Sequence, residues 1–228
     1  MKNLLSVKLG MTNVYLLKSA HGYVQIDAGY KSTVGKYFEF LKRNEIEPQD
    51  IKLIIATHAH ADHVGALKTI KDATNAKVLI HENDSDALIN GKQADVKGVS
   101  LYGNLLLKMI PKKLEIYDPV NPDIIIKKEF ALSDFGLNAK VIHTPGHTMG
   151  TISVIHENGN AFVGCTAQSF PIKLTPGLPA SAIDINLVLS SWKLLVQEGV
   201  KTVFVGHGRK PFSIERIKKI LSKKRIEF

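Results

Sequence analysis

Between Thr57 and Gly65 the chain reads Thr-His-Ala-His-Ala-Asp-His-Val-Gly, directly after the apolar run Leu53-Ile54-Ile55-Ala56. Imidazole nitrogens and carboxylate oxygens are the donors a divalent cation takes. At a strand end, residues two apart point the same way, so His58 and His60 can present nitrogens to one metal. Asp62 and His63 fall where the chain would turn into a helix and point elsewhere. They could hold a second metal roughly 3.5–4 Å from the first, the separation used in two-metal hydrolytic sites. The plainer alternative is a histidine-rich surface loop, and four candidate ligands behind one buried strand weigh against it.

The elements that must position these side chains follow from periodicity. A hairpin of Asn13–Leu17 and Gly22–Ile26 opens the chain and ends at Asp27-Ala28-Gly29, where a carboxylate near the metal edge can accept a hydrogen bond from the ligand loop. Ser32 is a candidate cap for a helix from about Thr33 to Arg43 with Val34, Tyr37, Phe38 and Leu41 on one face. Strand 51–56 leads into the histidine cluster, a helix begins near Asp62, and Ala76–Ile80 is a buried strand ending at His81 before a polar helix start at Asn83-Asp84-Ser85-Asp86. Strand and helix alternating in this way is the pattern of an α/β layer. Residues 91–128 differ: Leu101–Ile110 is apolar without a strand period and is flanked by Gly98 and Pro111, which reads as a helical insertion or lid, or equally as one more core helix. Later strands are expected over 136–143, 151–156, 161–164 and 201–205, the middle two joined by an Asn-Gly turn. Helices are expected from Ile185 to Glu198 and after Ser213, the latter burying Ile214, Ile217, Ile220 and Leu221. Strand ends thus deliver His147, Cys165 and His207, each beside a glycine.

The 228 residues are enough for one large domain, with 44% hydrophobic and 22% charged residues and no linker or low-complexity tract. A net charge of +9 could signal an anionic partner. Much of it lies in Lys218-Lys219 and Lys223-Lys224-Arg225, on what would be the solvated face of a C-terminal helix, and the basic residues lack the aromatic interleaving of a nucleic-acid surface. No nucleic-acid or membrane partner is expected: no apolar run approaches the roughly 18 residues of a membrane span. Lys8 interrupts the first apolar stretch and no small-residue cleavage site follows, so the cytoplasm is the expected location. A single cysteine, Cys165, permits no intrachain disulfide and suits a reducing compartment.

Thr57–Gly65, Thr144-Pro-Gly-His-Thr-Met-Gly150 and Val205-Gly-His-Gly208 resemble, in the same order, the metal motifs of the metallo-β-lactamase superfamily. Asn13-Val-Tyr-Leu16 and Ile26-Asp-Ala-Gly29 resemble its opening hairpin. The resemblance covers nearly the whole chain and implies a four-layer αββα sandwich with metals at one edge between two sheets. It implies His58, His60 and His147 on one metal and Asp62, His63 and His207 on another. One position departs from the pattern: most hydrolases of the superfamily carry Gly-Asp where this chain has Gly164-Cys165, and that aspartate bridges the metals. Cysteine here resembles a subclass of zinc β-lactamases in which it binds the second zinc, although those enzymes lack a histidine at the place of His63. A thiolate binds zinc well but seldom bridges, so Cys165 is expected on the second metal.

The expected activity is metal-dependent hydrolysis, with metal-bound hydroxide attacking a thioester or lactone in a glyoxalase-II-like reaction and Asp62 ligating, orienting and accepting a proton. Two zinc ions per chain are expected, with iron or manganese as alternatives, and a small-molecule substrate. Residues 91–128 and 168–180 would choose that substrate, with Lys173 or Arg209 available to a carboxylate. Competing readings are an iron-dependent oxidoreductase of the dioxygenase kind, a β-lactamase-type amide hydrolase, and a non-catalytic metal-binding protein. His21, His81 and His156 read as surface or supporting residues, and His143 as a support for the turn that follows it.

Overall fold

A computed structural model describes residues 3–99, 104–105, 109, 116–169 and 177–226. Twelve strands form two six-stranded sheets. The first contains β1 (Leu4–Leu9), β2 (Thr12–Ser19), β3 (Gly22–Ile26), β4 (Ile51–Ile55), β5 (Lys77–His81) and β6 (Ile124–Ile126), side by side in that order. The second contains β7 (Glu129–Ala131), β8 (Ala139–His143), β9 (Ile152–His156), β10 (Asn160–Phe162), β11 (Thr202–Phe204) and β12 (Phe212–Ser213), again in chain order. β1, β2 and β3 are antiparallel, β3 through β6 run parallel, and β10 and β11 form the parallel pair of the second sheet.

Strand alternation sorts the core into three layers. Leu53, Ile55, Leu79, Val141, Val154, Phe162 and Phe204 point between the sheets, where Tyr15 packs edge-on against Phe162 and Phe204. Their neighbours Ile54, Val78 and Ile80 point out beneath α1 (Val34–Arg43), α3 (Leu67–Thr74) and α4 (Glu82–Ile89), meeting Tyr37, Leu41, Leu67, Ile70 and Leu88. On the other side Ile142, Ile155, Ala161 and Val203 point out beneath α5 (Ile185–Gln197) and α6 (Glu215–Lys223), meeting Val188, Trp192, Leu195, Ile217 and Leu221. A single helical turn, α2 (Ala61–Val64), precedes α3. The result is the four-layer αββα sandwich expected above.

Differences from the expected elements are local. The opening hairpin is a three-stranded meander, because residues 4–9 pair with β2 as an edge strand. The strand expected from 136 starts at Ala139, since Ser133–Phe135 forms a 3-10 turn. The stretch 91–128 is two unlike parts: Ile124–Ile126 belongs to the first sheet and Tyr117 and Val120 are buried in its outer layer, whereas most of the apolar run 101–110 lies outside the described residues. Ser213 does accept the Glu215 N–H at the start of α6, at 3.3 Å. Among the described residues no helix is long and apolar enough to cross a membrane.

Candidate metal centre

Six of the seven expected ligands are buried, and they follow the carboxyl ends of strands: His58 and His60 on the loop after β4, His63 in the helical turn α2 that continues it, His147 after β8, Cys165 after β10 and His207 after β11. The loops are tied across the gap between sheets. Ile152 N–H donates to Thr57 O at 2.9 Å, Asn13 N–H to Gly206 O at 2.8 Å, and Tyr15 Oη–H to Val205 O at 2.8 Å. Two glycines permit the crowding. A Cβ on Gly206 would lie 2.7 Å from the His63 ring, and one on Gly164, whose φ is +51°, would lie 2.5 Å from Thr57 Oγ1. Helix α5 supports the second-sheet loops: Ser191 Oγ donates to Pro145 O at 2.7 Å and Trp192 Nε1–H to Thr166 O at 2.9 Å.

The hydrogen bonds decide which nitrogen of each histidine is available. His60 Nε2 lies 3.1 Å from Ala94 O, His147 Nδ1 2.7 Å from Ser181 O, and His207 Nδ1 3.1 Å from Met11 O. A carbonyl only accepts, so each of these nitrogens is an N–H donor, and the other ring nitrogen is the one left to offer a lone pair to a metal. Thr57 Oγ1 donates to Asp27 Oδ1 at 2.9 Å and therefore accepts from His58 Nδ1 at 3.0 Å. His63 Nδ1 is 2.7 Å from Asp27 Oδ2. One carboxylate thus orients a histidine in each half of the site, the supporting role expected of Asp27.

The remaining nitrogens converge. His147 Nε2 lies 3.2 Å from both His58 Nε2 and His60 Nδ1. Neutral imidazoles placed this way aim lone pairs at one another with no hydrogen between them. Protons do not relieve the repulsion near neutral pH: burial, then the neighbouring His147, hold His60 down to about 3, and burial, then His63, hold His58 well below its ordinary value. A cation does relieve it, and the two 3.2 Å separations from His147 Nε2 are close to the roughly 3.3 Å between donors that tetrahedral coordination at roughly 2.0–2.1 Å produces. The donor set fits a metal ion.

The second group combines His63, His207, Asp62 and Cys165. His63 Nε2 lies 3.3 Å from His207 Nε2 and 3.2 Å from Cys165 Sγ, and Asp62 Oδ2 lies 3.0 Å from His207 Nε2. Charges here are mutually supporting. Burial works against protonated His63 and His207, yet the Cys165 thiolate and the carboxylates of Asp27 and Asp62 push His63 well up, and Cys165 and Asp62 push His207 up to about 10. Burial likewise opposes ionised Asp62 and Cys165, and the surrounding histidines overcome it and lower both. Asp62, its side chain 15% exposed, is the most open of the charged groups and also accepts from Thr12 Oγ1 at 3.2 Å.

One support was not evident in the sequence, and a second lies at two histidines already read there as candidates for such a role. Asp84, fully buried, accepts from Ala59 N–H at 2.9 Å, Thr148 Oγ1 at 2.8 Å and Gly150 N–H at 2.9 Å, so it clamps the His58/His60 loop to the His147 loop. His81 and His143 stack at 3.8 Å across the two sheets, and His143 Nε2–H donates to Met149 O at 2.8 Å behind the same loop. Lys173 lies outside the described residues. Arg209 is exposed one residue past Gly208.

An αββα sandwich with two groups of histidine, carboxylate and thiol side chains gathered at one sheet edge defines a class of metalloprotein. The chain belongs to the metallo-β-lactamase superfamily, whose family model matches residues 7–207. It is 37% identical over 198 residues to a protein of Methanocaldococcus jannaschii named as a probable metallo-hydrolase, covering 86% of this chain and 87% of that one. It is 24% identical over 222 residues to an N-acyl homoserine lactonase of a Bacillus species, covering 85% and 79%. In fold it is similar to a solved archaeal metallo-β-lactamase superfamily protein from Sulfolobus tokodaii, with a TM-score of 0.68, 22% identity, and coverage of 99% and 87%. Membership implies a divalent metal.

Proposed function

We propose that the chain is a hydrolase of ester-type bonds, thioesters or lactones, working with two zinc ions held by His58, His60 and His147 and by Asp62, His63, Cys165 and His207. The observation that carries this reading is the tautomer pattern: each histidine has one nitrogen committed to an oxygen acceptor, and the others converge. Bound metal would polarise the substrate carbonyl and lower the pKa of water toward about 7, supplying the nucleophile at neutral pH.

The protein's own groups do the rest. Asp27 and the carbonyls of Ala94, Ser181 and Met11 each engage one ring nitrogen, so they fix which nitrogen of His63, His60, His147 and His207 faces the centre. Asp62 is ionised, partly open to solvent and hydrogen-bonded by Thr12, which suits it to ligate and to orient water. The stretches expected to choose the substrate are rooted beside the ligands. Val99 N–H donates to Ala180 O and Ala182 N–H to Lys97 O on either side of Ser181, the partner of His147, and Ser169 N–H donates to His207 O. Leu105 and Met109, exposed in the apolar stretch, favour an acyl substrate over a polar one. The lactonase name of the Bacillus relative supports the same bond type.

The test is metal analysis of protein purified without chelator, followed by assays against a thioester series, a lactone series and a chromogenic cephalosporin. Two zinc ions per chain and thioester or lactone turnover, abolished by chelator and restored by zinc, are expected. Turnover of the cephalosporin alone would overturn the ester assignment. Two bound ions with no turnover of any of the three would overturn the hydrolase reading, and iron with oxygen consumption would replace it by oxidoreduction.

A further inference from the structure

Cys165 is common to both groups of metal-binding atoms. Its Sγ lies within 4.8 Å of the ligand nitrogens of His58 and His147 in one group and of His63 and His207 in the other. The backbone imposes this central placement. Gly164 is pressed against Thr57, next to His58, and its carbonyl accepts the Gly206 N–H at 2.7 Å, next to His207. On the far side Thr166 N–H donates to Val163 O at 3.0 Å, and the indole of Trp192 holds Thr166 O. The loop is therefore wedged between the two ligand sets and fastened from behind. The thiol is 1% exposed, and its Sγ lies 3.2 Å from His63 Nε2.

Resting on the two-ion reading above, we propose that the Cys165 thiolate bridges the two metal ions, a shared ligand of the His58/His60/His147 ion and of the Asp62/His63/His207 ion. This differs from the sequence expectation, in which Cys165 served the second ion alone. A sulfur about 2.3 Å from each of two ions roughly 3.5–4 Å apart subtends roughly 100–120°, an unstrained angle for a thiolate with two lone pairs engaged. Sharing also makes the two sites interdependent, since loss of one sulfur removes a ligand from both.

The test is zinc content together with the zinc X-ray absorption fine structure of the full-length, zinc-loaded protein. The expected result is two zinc ions per chain with an average of one sulfur neighbour per zinc. Two zinc ions with half a sulfur per zinc would overturn the bridge and make Cys165 a terminal ligand. Two zinc ions with no sulfur would remove it from the centre altogether. A single tightly bound zinc would overturn the bridge while leaving a one-metal hydrolase standing, and a folded protein that binds no zinc would overturn the underlying metal reading itself. Cys165→Asp, which restores a carboxylate of bridging reach, is expected to fold, hold two zinc ions and lose the sulfur shell. Cys165→Ala is expected to release both ions to a chelator that leaves wild type loaded; release of only one ion would count against a shared ligand.

Discussion

Asp27 holds a backbone conformation that few residues other than glycine adopt, with φ at +62°. Its carboxylate accounts for that: it receives the Thr57 N–H and hydroxyl and faces His63 Nδ1, and through Thr57 it orients His58 as well. Asparagine tolerates the same φ but turns an N–H2 toward one of these donors. Asp27→Asn is therefore expected to fold and to bind zinc about 10–100-fold more weakly in a chelator competition; unchanged affinity would show that Asp27 serves only the backbone. The histidines themselves set an acid limit on the metal-free protein. His58 and His60 stay neutral in the folded state while the unfolded chain takes up protons below 6.5, so the unfolded state binds more protons and stability falls with pH. The window for His60 runs from 6.5 down to about 3, at up to about 1.4 kcal/mol per pH unit. Cys165, lowered from 9.0, acts in the same direction. His63 and His207 have the opposite sign: their contribution is complete below 6.5 and is lost as pH rises, for His207 through about 10. Urea midpoints of chelated protein are expected to drop from pH 7 to pH 5, and a flat profile would contradict the burial of neutral imidazoles.

At the scale of elements, α4 does more than cover the first sheet. Its third residue, Asp84, reaches out of the first turn to both ligand loops. Removing the carboxylate leaves three buried donors without an acceptor, at about 1–3 kcal/mol each. Asp84→Ala should therefore destabilise the metal-free protein by ~3 kcal/mol or more in urea denaturation. It should also weaken zinc binding at the His58/His60/His147 group more than at the other, since Ala59 sits between His58 and His60 and Thr148 and Gly150 follow His147. Equal loss at both would mean general loosening. Asp84 was illegible in the sequence for a physical reason: an acidic residue in the first turn is the ordinary complement to a helix dipole, and its partner Gly150 lies 66 positions away. The ligands were legible because their spacing is local, four of them within one short motif and the others each beside a glycine at a strand end. The strands of the core were legible from alternation, Ile54 and Ile55 facing opposite layers. β1 and β12 were not, because edge strands carry only half a buried face.

At the scale of the whole molecule, the centre joins two halves that pack without it. His58, His60, Asp62 and His63 come from the chain that builds the first sheet, and His147, Cys165 and His207 from the chain that builds the second. The apolar layers that hold the sheets together, Tyr15 with Phe162 and Phe204 among them, contain no ligand other than the neighbours of β4 and β10 at the edge. Chelation should therefore leave the far-ultraviolet circular dichroism of the sandwich intact while lowering its melting temperature. Free zinc at 100 times its dissociation constant stabilises the folded state by about 2.7 kcal/mol per site, and two sites together make the shift readily measurable. Removal also restores the lone-pair repulsion among His58, His60 and His147, so the melting temperature of the chelated protein should recover partly when His60 is replaced by Asn, which takes one imidazole out of the group. That partial recovery, seen only without metal and reversed in sign with zinc bound, would separate a site built around a cation from a histidine cluster that merely fills space. A His60→Asn protein that melts lower than wild type in both states would favour the space-filling reading.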